Sequence, residues 1–152
     1  MNKLDNPVFI ISLNGTSKYN FHTLFNNVNY YKATDTRKIN IADLLNDGII
    51  SERVYTDIIA GRKDHFAIPG MGAIGLYLTY TKLLNELNNK NFNKNILILE
   101  EDCNISDKHY FLKKIKLLNN YKNFDYVLFG SSKYKNNNFI KNQFITSNNI
   151  LN

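Results

Sequence analysis

At 152 residues the chain is long enough for one substantial core, and 43% of it is hydrophobic, with ten Tyr, ten Phe and no Trp. Nineteen Lys and Arg against thirteen Asp and Glu give a formal charge of +6, but the densest basic group (Lys108, Lys113, Lys114, Lys116) falls on one amphipathic segment, so no nucleic-acid interface is expected. No apolar run approaches the ~20 residues of a transmembrane helix, and the single Cys103 excludes an internal disulfide.

Residues 8–13 are a continuous apolar run closed by Asn14-Gly15, which reads as a buried strand and a turn. The run is too short for a signal-peptide core, so a cytoplasmic location is expected, in host cytoplasm if the source is viral. Abundant Asn, Lys and Ile, whose codons are A+T-rich, point to an A+T-rich genome. Thr16 is placed to cap a helix with Phe21, Leu24 and Phe25 on one face, and residues 28–32 return as a second strand. This βαβ opening predicts a parallel sheet.

Residues 41–46 suit a short helix stopped by Gly48, whereas 53–59 fit a helix or a strand equally. Pro69-Gly70 breaks the chain, and 72–88 read as a helix with Ile74, Leu78, Thr81 and Leu84 on one stripe. Ile96, Leu97, Ile98 and Leu99 form the clearest central strand, because parallel strands covered on both faces show no polar alternation. Ser106 is placed to cap a helix through Phe111, Leu112, Ile115 and Leu118. Residues 125–129 suggest another strand, 133–138 a polar loop and 139–145 an edge strand. The expectation is a single α/β domain over residues 1–152, with a mostly parallel sheet flanked by helices.

Glu100, Glu101 and Asp102 follow the most hydrophobic of these strands, the place where open α/β sheets bind ligands. If the backbone stays extended, Glu100 and Asp102 share a face. Paired carboxylates repel unless a cation or proton intervenes, and all-oxygen ligands suit Mg²⁺ or Mn²⁺. The alternative is a solvated acidic loop. His22, His65 and His109 are scattered, and none is placed as a metal ligand.

Gly70, Gly72 and Gly75 also match G-x-G-x-x-G, a dinucleotide-binding pattern, with Glu100 as the ribose-binding acid. Against it, Pro69 interrupts the short run of residues 65–68 that would have to be the preceding strand.

The order of motifs resembles glycosyltransferase family 25, which contains lipooligosaccharide and collagen galactosyltransferases. Its opening "v-x-x-I-N-L-D-R" strand is similar to Val8-Phe9-Ile10-Ile11-Ser12-Leu13-Asn14, and its "A-V-D-G" element to Ala33-Thr34-Asp35-Thr36. Its "G-x-x-G-C-a-l-S-H" helix start is similar to residues 72–80, its "l-I-L-E-D-D" signature to residues 97–102, and its "D-x-V-y-L-G" to residues 125–130. The resemblance covers residues 8–130. It implies a GT-A-like (Rossmann-like) fold, a UDP-galactose or UDP-glucose donor, Mn²⁺ with Mg²⁺ as its substitute, and inverting transfer of hexose to a hydroxyl on a glycan, lipooligosaccharide or protein.

Carried over by position, Glu100 and Asp102 would bind metal and diphosphate. Leu13, Asn14, Asp35, Thr79, Tyr80 and Glu101 would surround the donor, and no residue is assigned as catalytic base. Glu101 replaces the family's middle Asp, and Tyr80 replaces its His. The early Arg is missing, with Lys18 the nearest cation. The family continues beyond the strand matched by 125–129, so the resemblance implies a chain lacking the C-terminal acceptor-binding part. These departures define the alternative, a catalytically silent domain that binds nucleotide sugar.

Overall fold

The computed structural model describes residues 3–62 and 70–120. The chain divides into two units, Met1–Ser106 and Asp107–Asn152. The first contains a small parallel sheet with flanking helices, an α/β arrangement. Its strands are β1 (Val8–Ser12), β2 (Val28–Lys32) and β3 (Leu97–Glu100), in the order β2-β1-β3. Ile11 of β1 stands opposite Tyr31 on one side and Glu100 on the other.

Among the described residues β1, rather than the strand at 96–99, occupies the middle of the sheet. Val8 and Ile10 are fully buried, and Ile11 and Ser12 nearly so, as expected of a strand covered on both faces. In β2, Asn29, Tyr30 and Lys32 are exposed.

The connection from β1 to β2 is not the expected helix but a 3₁₀ turn at Phe21–Thr23. Thr16 caps nothing there; its amide donates instead to Ser12 Oγ at 3.1 Å. Phe21, Leu24 and Phe25 are buried as their spacing suggested, but Phe25 forms a parallel bridge with Leu4, and the chain enters β2 three residues later. That bridge, with the Leu4 amide donating to the Leu24 carbonyl and the Asn26 amide to the Leu4 carbonyl, takes up backbone groups at 24–26 that a helix through Phe25 would use.

Helix α1 (Ile41–Asn46) begins at Asn40, whose side chain accepts the Ala42 amide at 3.0 Å, and Gly48 follows it with φ +67°. Residues 53–59, open between helix and strand in the sequence, lie in α2 (Glu52–Ile59), where the Ser51 hydroxyl accepts the Val54 amide. Such caps contribute ~1 kcal/mol each. α1, α2 and the start of α3 (Met71–Asn89) share a core of Leu44, Ile50 and Ile74, with Val54, Ile58 and Leu78 against it. Each buried aliphatic side chain stabilises the fold by ~1.5–3 kcal/mol.

The buried stripe of α3 is rotated from the expected one. Ile74, Gly75, Thr79 and Leu83 face inward, whereas Thr81 is exposed and Leu84 is 48% exposed. The cause lies in the loop after β2, which packs against Gly75 and Thr79. Nearer the other end of α3, Tyr31 Oη donates to Glu86 Oε1 at 2.8 Å and ties the helix to β2.

In the second unit, α4 (Lys108–Leu118) buries Leu112, Ile115 and Leu118 and exposes Lys108, Lys113 and Lys116. Its cap is Asp107, one residue after the expected Ser106, with the carboxylate accepting the Tyr110 amide at 2.8 Å. The strands expected at 125–129 and 139–145, the loop at 133–138 and the run 65–68 lie outside the described residues. Among the described residues, no helix is long and apolar enough to cross a membrane.

Candidate functional site

Because β1, β2 and β3 are parallel, the segments leaving their carboxyl ends emerge on one side. The chain passes from β1 to β2 on one flank and returns to β3 on the other, so a topological switch point lies between β1 and β3. Ligands of open α/β sheets bind at such a crevice. A cleft of about 600 Å³ occupies this position, walled by residues after β1, β2 and β3 and by the first turns of α3. Leu13, Asp35, Thr79, Glu100, Glu101 and Asp102 all line it. Asn14 and Tyr80 stand outside its described lining.

The acidic triplet does not stay extended, so the strand alternation expected to put Glu100 and Asp102 on one face does not apply to them. β3 ends at Glu100, and a turn follows in which the Cys103 amide donates to the Glu100 carbonyl at 3.0 Å. The turn is fastened by Glu101, whose amide donates to the Ile11 carbonyl and whose own carbonyl accepts the Lys18 amide at 3.1 Å. Its carboxylate Oε2 accepts a 2.5 Å hydrogen bond from Ser12 Oγ. A charge-assisted O–H bond to carboxylate is this short. Glu101 is therefore half-buried and anchored, whereas Glu100 and Asp102 are exposed.

Glu100 and Asp102 add negative charge locally. Among the described residues neither forms an ion pair, and their field acts on two neighbours. Burial, then the charges of Asp102 and Glu100, push the Cys103 thiol up from its ordinary value. Burial and the Glu100 charge do the same to the Tyr80 hydroxyl. Exposed carboxylate oxygens are donors of the kind that Mn²⁺ or Mg²⁺ takes. No group of three or more His, Cys, Asp or Glu among the described residues forms a full cage, so a cation here would take further oxygens from a bound ligand.

Across the cleft, Asp35 accepts hydrogen bonds from its neighbour Arg37: Nε to Oδ1 and Nη2 to Oδ2, both at 2.8 Å. This fork holds the Asp35 carboxyl down at about 2. Arg37 lines the cleft, and sequence reasoning missed it by looking for a cation near Lys18. The ion pair between residues two apart was the available signal.

Thr79 is fully buried, with Oγ1 donating to the Gly75 carbonyl at 2.6 Å and accepting the Thr34 amide at 2.8 Å. It shapes the wall instead of offering a free hydroxyl to a ligand. Gly75 has a packing reason of its own, because an added Cβ would lie 2.9 Å from the Thr34 carbonyl oxygen. That accounts for one glycine of the G-x-G-x-x-G pattern without a pyrophosphate. Sequence reasoning also missed Ser12, an uncharged residue within an apolar run.

Compared with protein-family models, curated proteins and solved structures, the chain gives no match in any of the three.

Proposed function

We propose that this chain is the donor-binding core of a glycosyltransferase with a GT-A-like fold, moving galactose or glucose from a UDP-sugar to a hydroxyl acceptor with inversion. One observation carries the reading. Six of the eight residues that the family 25 resemblance assigns to donor and metal come together in one cleft, although they lie as far apart in sequence as Leu13 and Asp102. The cleft occupies the switch point of a parallel sheet, where nucleotides bind in folds of this class.

In this reading Leu13 and the Asp35–Arg37 pair receive the nucleotide portion. Thr79 and Gly75 keep the loop after β2 close to α3, so the wall does not collapse into the donor's place. Glu100 and Asp102 would hold Mn²⁺, whose charge lowers the energy of the departing diphosphate. Glu101 is better described as the anchor of that turn than as a direct donor contact. The acceptor oxygen attacks the anomeric carbon, the bond to UDP breaks, and the acceptor proton passes to a base.

The test is thermal unfolding with UDP, UDP-galactose, UDP-glucose or NAD, each with and without Mn²⁺. A ligand at ~100 times its Kd adds ~2.7 kcal/mol of stability. UDP and a UDP-sugar should raise the midpoint, more so with Mn²⁺, and Glu100→Gln with Asp102→Asn should remove the metal-dependent part. Release of UDP in the presence of acceptor then separates an enzyme from a silent binder. A shift with NAD and none with UDP would sink the proposal and favour the dinucleotide reading.

A further inference from the structure

Ser12 is 1% exposed, yet it sits where the residues leaving β1 meet those leaving β3. A hydroxyl has one proton to give and two lone pairs. Here all three positions are used: the proton goes to Glu101 Oε2 at 2.5 Å, and the oxygen accepts the amides of Asn14 at 3.3 Å and Thr16 at 3.1 Å. The partners on one side belong to the loop carrying Leu13, and the partner on the other belongs to the turn carrying Glu100 and Asp102. A second strap, from the Lys18 amide to the Glu101 carbonyl at 3.1 Å, joins the same two segments. Ala at this position would make none of these hydrogen bonds.

We infer that Ser12 is a positioning residue that couples the two halves of the cleft, so that a cation at the Glu100–Asp102 turn tightens nucleoside binding on the Leu13 loop, and the reverse. The inference rests on the sugar-nucleotide reading and adds the device that makes its two ligands cooperative. The physical basis is shared ordering. Whichever ligand arrives first holds the turn or the loop in its bound geometry, the Ser12–Glu101 bond holds the facing segment with it, and the second ligand then meets a segment already in place. Coupling of this kind is reciprocal.

The probe must exclude direct chelation, since Mn²⁺ bridges to any diphosphate. Uridine, which has no phosphate, does so. In calorimetric titrations of the whole chain, saturating Mn²⁺ should tighten uridine binding about fivefold or more. In Ser12→Ala both ligands should still bind, with uridine affinity independent of Mn²⁺. A merely structural serine would weaken both ligands and leave their coupling intact. The unmodified protein offers a second readout should the variant fold poorly. Mn²⁺ alone should slow hydrogen exchange at the Asn14 and Thr16 amides, the two held by Ser12. Protection confined to residues 100–103, or coupling unchanged in Ser12→Ala, would overturn the inference while leaving the sugar-nucleotide site standing. Failure of the unmodified protein to bind UDP, with or without Mn²⁺, would overturn both, whereas binding of UDP with no effect of Mn²⁺ on uridine would overturn the inference alone.

Discussion

Thr79 of α3 and Thr34 after β2 are joined by a hydrogen bond from the Thr34 amide to Thr79 Oγ1 at 2.8 Å, in a site from which Thr79 is wholly withdrawn from solvent. The same hydroxyl donates to the Gly75 carbonyl, so one side chain fixes both its own helix and the loop that forms a cleft wall. Replacing it with Val keeps the shape and strands the Thr34 amide. Loss of a buried partner costs ~1–3 kcal/mol. Thr79→Val should therefore lower the stability measured by urea unfolding by that amount, whereas Thr79→Ser, which loses only a methyl, should cost ~1 kcal/mol or less. Equal losses in the two variants would show that the hydroxyl is not what matters.

Gly75 and Gly72 lie on the same helix and should respond oppositely to Ala. A Cβ at Gly75 would meet the Thr34 carbonyl oxygen and Thr36 Cγ2 at 2.9 Å, and the first of these is backbone that cannot swing aside. Overpacking of this kind costs ~1–3 kcal/mol, more than the ~1 kcal/mol that Ala gains over Gly in a helix. At Gly72 nothing lies within 4 Å, so only the gain remains. Urea midpoints should fall for Gly75→Ala and rise or hold for Gly72→Ala. A rise in both would contradict the close approach of loop and helix.

These two sites also mark where the sequence ceased to be readable. β1 and α1 were legible because an apolar run ending in Asn-Gly, and a short helix between Asn40 and Gly48, carry their own punctuation. The inward face of α3 was not, because apolar periodicity cannot register Gly75 and Thr79, which face inward through a close approach and a hydrogen bond. The spacing of Phe21, Leu24 and Phe25 correctly marked burial but not conformation, since a 3₁₀ turn and a helix place such residues alike over so short a stretch. At the cleft, the acidic residues advertised themselves. Ser12 depends on a partner, Glu101, that only the folded chain brings into reach, whereas the Asp35–Arg37 fork joins residues two apart and was open to a reading that looked for it.

Tyr31 should titrate late. Burial, its hydrogen bond to Glu86 and the Glu86 charge push the phenol up to about 12. A phenol whose folded pKa exceeds its unfolded value of ~10 stabilises the fold fully below that pH and loses its contribution as pH rises through the folded value. The contact therefore weakens between about 10 and about 12. The absorbance of phenolate at alkaline pH, compared between the unmodified chain and Tyr31→Phe, isolates this group from the other tyrosines. The missing step should lie near 12 and move down in Glu86→Gln. A missing step at the free-phenol value would refute the Tyr31–Glu86 contact.

Cys103 reports on the acidic turn without any ligand. It is half-buried next to Asp102, and burial together with the Asp102 and Glu100 charges keeps its thiol protonated beyond the ordinary range. The thiolate is the reactive form, so iodoacetamide at mildly alkaline pH should alkylate the folded protein more slowly than the urea-unfolded chain. Asp102→Asn and Glu100→Gln should each speed the reaction of the folded protein, Asp102→Asn by more, since its charge acts more strongly on the thiol. Neither should bring it to the unfolded rate, because burial is the larger cause and both variants keep it. Added salt should raise the rate of the unmodified protein by screening the same charges, and should do little in the double variant. Variants that react at the unmodified rate would mean that the carboxylates point away from Cys103, and the negative field assigned to the turn would be lost with them.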